Sequence, residues 1–432
     1  MPATRADGRP KEVWQLRKDA PKVVGYLPDD TPPFGKMIAF ALQQVIVMFP
    51  ATVLVAIITG FDVGVTITAS GLATLGFLLI TGRRIPLYYG SSFSYIAAVS
   101  GVSASVAALT GSKVAGIRAA QTGIVASGLV SIAAGLLIKK SGPNVVKKIL
   151  PPAITGPVAI IIGLSLASVA MADASQNWTI SGITLIATIL FSVYLPGTLG
   201  QLPVLFGVIT GYLVALLMGQ VDFTPVITAK FFSVPNFTLP AFNRYGWMAV
   251  AAIMPVAIAT IPESTAHLYQ IDLYVNNLAR QMGSKKKYGI ASLLGENLIG
   301  DGIGDMIAGF IGGPAGTNYG ENNSVMAITN NFSVPVLMTA AIIAIIMGFF
   351  GHIAGIVNTI PRAVIGGVSI YLFGVIGAQG AALMISEKLD LFTPRNLAVV
   401  ATILIIGLGG SAMPNGMIPL GNLKLPAIAT AA

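Results

Sequence analysis

The chain has 432 residues, 54% apolar and 9% charged, with a net charge of +9 and no cysteine. A soluble chain of this length would divide into about three domains. Apolar runs of about 20 residues recur from residue 37 onward, each long enough to cross a bilayer core, and they exclude that class. Absent cysteines exclude structural disulfides. The basic residues sit in short loops between apolar runs rather than in a patch, so no nucleic-acid partner is expected.

Residues 1–35 are polar, rich in Pro and charge, and without the apolar core of a signal peptide, so they read as a cytosolic N-terminal tail. Membrane spans are expected near 37–59, 63–82, 86–105, 117–138, 152–171, 179–196, 203–219, 246–268, 288–311, 313–332, 335–357, 363–385 and 396–411. The closing LKLPAIATAA is expected to begin a fourteenth span that is incomplete in the sequence as given. With the N-terminus cytoplasmic and every span crossing, nineteen of the 25 Lys and Arg residues fall in inside loops, the bias that cytoplasmic loops carry. That split requires 86–105 and 313–332 both to cross, although neither is a good helix.

These two segments resemble each other. The first contains IPLYYGSSFSYIAAVSG and the second GGPAGTNYGENNSVMAIT: a Pro, then Tyr-Gly, polar residues and an apolar run. Gly90 and Gly320 lie 230 residues and seven spans apart, so the two copies cross in opposite directions. Matching interrupted spans in opposed halves mark an inverted-repeat transporter with its site near the midplane. Gly and Pro are also frequent in ordinary membrane helices, which leaves chance likeness as the bland alternative. Broken backbone at membrane depth is tolerated only where protein buries it or a wet cavity adjoins it, and its freed N–H and C=O groups can then serve a ligand.

A carboxylate at mid-span costs roughly 2.5–3.5 kcal/mol on insertion scales, so each needs a reason. Glu263 sits late in span eight with His267 four residues on, on one helical face, an arrangement suited to carrying a proton. The alternative is that the span ends at Pro262 and both groups are interfacial. Glu321 follows a Gly-rich break, either at the start of a half-helix, where N–H groups favour an anion or a carbonyl oxygen, or in a watery loop. Span nine carries Glu296, Asn297, Asp301 and Asp305, with Asp301 and Asp305 on one face. They make either a cation site or, more in keeping with the setting, a polar face that supports the broken neighbour. Gln43 and Gln44 in span one can hydrogen-bond across helices, and His352 follows span eleven at the interface.

Two carboxylates with freed backbone groups, and no Lys or Arg in either broken span, disfavour an anion. A bare alkali cation fits less well than a flat heterocycle with imide edges, whose N–H groups donate to carboxylate and whose C=O groups accept from backbone N–H. Phe93, just after the first break, offers backbone and a ring face.

At these residues the chain resembles the nucleobase–cation symporter-2 family, the nucleobase–ascorbate transporters, and most of all its bacterial uracil permease branch. YGENNSVMAIT and PESTAHL carry the likeness, joined by LQQVIVMFPATVLV, IPLYYGSSFS and GGVSIYLFGVIGAQG, and it extends over nearly all the chain after residue 36. The resemblance implies an all-α polytopic membrane protein of fourteen segments in two inverted repeats of seven, with spans three and ten broken by short extended segments. It implies a core domain from residues 36–140 (spans 1–4) and 246–360 (spans 8–11). A gate domain would come from 141–245 (spans 5–7) and 361–432 (spans 12, 13 and the start of 14), and would form a homodimer contact. Glu263 and Glu321 would bind the N–H and carbonyl edge of uracil, the backbones of Phe93 and Gly320 would complete the contact, Tyr319 would line the site, and His267 would sit behind Glu263 in proton coupling. Asn322 falls in the family's Glu/Gln-Asn signature, and Asp301 matches an acid often placed in span nine. Gln44 stands in the span-one pair that is usually Gln-His.

Xanthine and urate carriers of the family usually have Gln where Glu321 stands and often Asp where His267 stands, so both positions are of the uracil type. The chain departs from the family pattern at Ser324 (usually Gly), Asn330 (usually basic), Gln43-Gln44, Phe49-Pro50 (usually Phe-Gly) and Phe373 (Tyr in some uracil permeases). These departures bear on preference among bases. The expected function is proton-coupled uptake of uracil across the cell membrane by alternating access, without cofactor or metal. A xanthine or other base permease of the same family is the alternative, and an anion exchanger sharing the fold would want a cation at the junction of the breaks. A membrane enzyme is disfavoured, since there is no His-Glu-x-x-His, no cysteine and only two histidines. A channel or a non-transporting nucleobase sensor differs in failing to exchange labelled substrate.

Because the chain lacks cysteine, single introduced cysteines report orientation directly. A cysteine replacing Lys388 should react with an impermeant maleimide only from the cytoplasmic face, and one replacing Lys230 only from outside. The opposite labelling in intact cells would overturn the N-inside assignment.

Overall fold

The computed structural model describes residues 24–142, 151–197, 199–284, 286–410, 417–420 and 423–426. The first half runs α1 (Phe34–Thr59), α2 (Val63–Ile80), β1 (Tyr89–Ser91), a 3-10 turn (Phe93–Tyr95), α3 (Ile96–Thr110), α4 (Lys113–Ser141), α5 (Pro152–Ser165), α6 (Ala167–Ala174), α7 (Trp178–Tyr194), α8 (Pro203–Leu217) and α9 (Thr224–Ile227). The second runs α10 (Arg244–Ile253), α11 (Ala257–Gln281), α12 (Leu294–Ile311), β2 (Gly316–Asn318), α13 (Gly320–Thr329), α14 (Val334–Gly348), α15 (Gly351–Asn358), α16 (Arg362–Ser386), α17 (Pro394–Gly410), β3 (Met417–Leu420) and β4 (Leu423–Pro426). Among the described residues seven stretches are long and apolar enough to cross a membrane, among them α1, α4, α16 and the run Arg244–Gln281. The chain is an all-helical, multi-pass membrane protein.

Small residues let the helices cross closely, the usual device where lipid removes the hydrophobic drive between helices. Where α4 crosses α12, a Cβ on Gly302 would stand 2.3 Å from the Gly128 carbonyl oxygen, and one on Gly135 would stand 2.6 Å from that of Gly295. Where α2 crosses α14, a Cβ on Gly71 would stand 2.5 Å from the Ala341 carbonyl, and one on Gly64 2.7 Å from that of Gly348. Gly302 and Gly295 each follow their counterparts Gly71 and Gly64 by 231 residues, so one packing solution occurs twice. A single apolar cluster then joins α1, α2, α11, α12, α13 and α14. Separate clusters join α5 to α17 and α7, α8 and α16 to one another.

Several expected boundaries move, each for a physical reason. In the third expected span, residues 86–92 are not helical, and α3 with its leading turn extends to Thr110 instead of 105. The eighth, expected to stop at 268, runs on to Gln281, because Ile271, Val275 and Leu278 keep one face buried while polar residues occupy the other. Pro262 lies inside this helix and does not end it. The eleventh is interrupted between α14 and α15. The expected fourteenth span is not helical where it is described: Leu423–Pro426 pairs antiparallel with Met417–Leu420, and 427–432 lie outside the described residues.

The N-terminal tail is also not free along its described part. Tyr26 N–H donates to the Asn330 carbonyl at 2.8 Å, and Phe332 N–H donates to the Tyr26 carbonyl at 2.8 Å. Leu27 is buried, and the Lys286 ammonium pairs with Asp29. The turn after α13 leaves backbone groups unpaired, and residues 24–33 supply their partners. Residues 1–23 lie outside the described residues.

Gly302→Val should force carbon against the Gly128 carbonyl and cost about 1–3 kcal/mol, as overpacking does, read as a lower melting temperature in detergent. Gly101→Val, where an added Cβ meets nothing within 4 Å, should leave that temperature unchanged.

Candidate substrate-binding site

The two interrupted segments meet each other. β1 and β2 pair antiparallel, with Tyr89 opposite Asn318, Gly90 opposite Thr317 and Ser91 opposite Gly316. All six residues are buried, where no water can take up a free backbone group, so each break satisfies the other. Ser92 N–H extends the pairing to the Ala315 carbonyl, and Tyr319 N–H to the Tyr88 carbonyl, both at 2.9 Å. Glycine is required for this approach: a Cβ on Gly90 would stand 2.4 Å from the Tyr319 ring, and one on Gly316 2.3 Å from the Gly90 carbonyl.

The flanks of this pair are tied to α2 and α12. Ser70 and Thr74 hydroxyls donate to the Tyr89 carbonyl at 2.9 Å each. On the other side the Asp305 carboxylate accepts from Gly316 N–H at 2.8 Å and from the Tyr89 hydroxyl. One acid thereby holds both strands. Asp301, four residues earlier, accepts from Asn318 Nδ2 at 2.9 Å and from the Ser264 hydroxyl, and Ser264 in turn accepts from Asn297 Nδ2 at 2.6 Å. Of the two sequence readings for these acids, the supporting polar face agrees with this geometry. Among the described residues no group of three or more His, Cys, Asp or Glu is placed to hold a metal ion.

The site itself is a cavity of about 640 Å³ where the tips of α3 and α13 face α5, α11 and α16. Phe93, Glu263, His267, Tyr319, Gly320 and Glu321 all line it. Glu263 is partly exposed, with the Ser94 hydroxyl 3.5 Å away. His267 lies against the second break, so that a Cβ on Gly320 would stand 2.9 Å from its Nε2. Glu321 sits in the first turn of α13 and is exposed, but into this cavity and a smaller neighbour. Tyr319 faces the cavity yet spends its hydroxyl on structure, bonded to Thr52 and to the Ser91 carbonyl, both at 3.0 Å. Asn322 is buried behind the site and donates to the Gln44 side chain at 2.7 Å, so these two residues anchor α13 to α1. His352 packs near the Phe231 ring, away from the cavity.

Along α16 the cavity is lined by Leu372, Val375, Ile376, Gln379 and Leu383, toward the Ser386 end. Toward the Arg362 end, Ile365 and Val368 pack on Leu54 of α1, and Phe373 packs with Val55, Ile96, Leu166 and Ala170.

The sequence did not reveal Gln201, Gln379 and Thr155, which face the site from the opposite wall. They lie in apolar or loop stretches with no motif to mark them. Ser264 and Asn318 carried a signal in hindsight, since each lies within two residues of an expected site residue.

The chain is thus a multi-pass helical membrane protein with a carboxylate-lined cavity among its helices. Residues 35–416 match the model of a permease family. The chain is 40% identical over 397 residues to the uracil permease of Bacillus caldolyticus, covering 89% of this chain and 88% of that one. It is 38% identical to the uracil permease of Bacillus subtilis, with 93% and 92% covered. Its fold is shared with the transmembrane domain of the cyanobacterial bicarbonate transporter BicA, with a TM-score of 0.62, 16% identity, and 89% of this chain and 99% of that one covered. The murine anion transporter Slc26a9 gives a TM-score of 0.61 at 11% identity, with 91% and 70% covered. The chain belongs to the xanthine/uracil permease family, a family of nucleobase permeases, and is not an enzyme.

Tyr89→Phe removes a buried donor from Asp305 and should cost about 1–3 kcal/mol. Tyr319→Phe, which frees Thr52 and the Ser91 carbonyl, should cost a similar amount. Thermal unfolding in detergent measures both, and unchanged melting temperatures would show that the hydroxyls do not hold the strand pair.

Proposed function

We propose that the chain imports uracil together with a proton. The carrying observation is that Glu263 and Glu321 face one cavity at the junction of the two breaks, while among the described residues no Lys or Arg lines it. A ring with imide edges satisfies this set, its N–H groups donating to carboxylate and its carbonyls accepting from N–H groups at the starts of α3 and α13. The absence of a cation at the cavity argues against anion exchange, although the fold also occurs in anion transporters. The Bacillus relatives named as uracil permeases, and the uracil-type residues Glu321 and His267, favour a pyrimidine over xanthine.

In this reading the fold is a seven-plus-seven inverted repeat. Helices α1 to α4 and α10 to α15 form the core, and α5 to α8, α16 and α17 form the gate. The repeated glycine crossings and the antiparallel pairing of β1 with β2 support it. The gate is also the surface for a second copy, and its outward face exposes Ile186, Leu190, Val193 and Leu213. With the N-terminus inside, the Ser386 end of α16 faces the cytoplasm. Uracil and a proton bind from outside, the core moves against the gate, and both leave inward. Glu263, beside His267, carries the proton. One charge moving down about 100 mV supplies ~2.3 kcal/mol, a concentrating factor of roughly fifty.

Counterflow of labelled uracil in proteoliposomes tests the carrier itself, since a channel or sensor gives none. A competition panel of uracil, thymine, 5-fluorouracil, xanthine and urate tests the base, with uracil expected strongest. Glu263→Gln should retain counterflow and lose concentrative uptake. Accumulation by that variant that a protonophore still collapses would disprove its coupling role. Glu321→Gln should weaken uracil binding by about tenfold or more, because a buried imide edge then faces the wrong partner.

A further inference from the structure

The main cavity is not all of the space beside Glu321. A second cavity of about 130 Å³ opens between α1, the start of α8 and α16, and shares Phe93, Gln201, Glu321, Leu372 and Val375 with the first. Glu321 and Phe93 therefore stand between the two spaces. Beyond these shared residues the wall is almost wholly apolar, with Val47, Pro50 and Ala51 from α1 facing Pro203, Val204 and Leu205 from α8. Its one other polar group, the Tyr371 hydroxyl, is already bonded to the Ser192 hydroxyl at 2.6 Å.

The space far exceeds the roughly 10–15 Å³ that one water needs, yet it offers water few partners. An alkyl group loses nothing there and leaves water behind. Position 50 adds a reason specific to this chain. Proline carries no N–H and its buried ring forms part of the wall, so α1 presents hydrocarbon to the pocket at a mid-helix position. One of the chain's departures from the family pattern thus falls on this pocket.

We propose that the side pocket is a subsite for a small apolar substituent on the pyrimidine ring, so that the chain accepts 5- or 6-alkyl uracils more tightly than uracil. The inference rests on the pyrimidine reading of the main cavity. The polar edge of the ring stays with Glu263 and Glu321, and the substituent passes Phe93 into the space under α1.

The test uses the purified full chain and two series, the 5- and the 6-methyl, ethyl and propyl uracils. Each is read by competition against labelled uracil in counterflow and by thermal stabilisation in detergent, which needs no transport. Apparent affinity should rise about fourfold per buried methylene along one series. Ala51→Phe, which fills the pocket from a residue outside the main cavity, should abolish the rise and leave the affinity for uracil unchanged. Affinity that stays flat or falls along both series overturns the proposal, whatever the variant does. So does an Ala51→Phe protein that weakens uracil and its homologues alike, with the milder Ala51→Val deciding the case if the Phe variant does not fold. Uracil that neither exchanges nor stabilises the protein defeats the pyrimidine reading instead, so the two failures are distinct.

Discussion

A peptide group left unbonded in hydrocarbon costs several kcal/mol, and this constraint organises the molecule. Two segments give up helix inside the protein, and each repairs the other through the antiparallel pairing of Tyr89–Ser91 with Gly316–Asn318. Much of the local packing serves that pairing. Gly90 and Gly316 let the strands approach, Ser70 and Thr74 hold one flank, and Asp305 holds the other. The glycine crossings of α2 with α14 and of α4 with α12 bring the supporting helices close enough to do so.

The acids divide between two tasks. Asp301 and Asp305 are buried and accept hydrogen bonds from groups that belong to the strands or to α11, so they act as fixed structural acceptors. Glu263 and Glu321 look into open space. The halves of the chain are not equal in this respect. At the packing offset of 231 residues, Asp301 and Asp305 correspond to Ser70 and Thr74, hydroxyls where the later half has carboxylates. The acidic groups of the site and of its support thus come from one half alone, and the other contributes backbone and hydroxyls.

Much of this was legible in the sequence because it is carried by local pattern. Runs of apolar residues give the spans, and a tyrosine-glycine pair set among polar residues in each half marks the breaks. The acids declare themselves by their cost in lipid. Glu263 and His267 share a helical face at spacing four, and both do line the cavity. What stayed hidden depends on partners distant in the chain. Gln379 lies in the apolar helix α16 and Gln201 in a short 3-10 turn, and only the assembled cavity shows that they share it with Glu321. Asp305 could not be separated from a cation ligand until Tyr89, 216 residues away, was seen to donate to it. The docking of Tyr26 on the turn after α13 was equally invisible, since nothing in a polar, proline-rich stretch says which distant carbonyl it will meet. Helix ends failed where an amphipathic helix outruns its apolar run, as in α11, because hydropathy reports solvent and not hydrogen bonding.

The strand pair has a mechanical consequence. Because the two half-helix tips are hydrogen-bonded to each other, neither can shift without the other, and the pair forms one rigid platform.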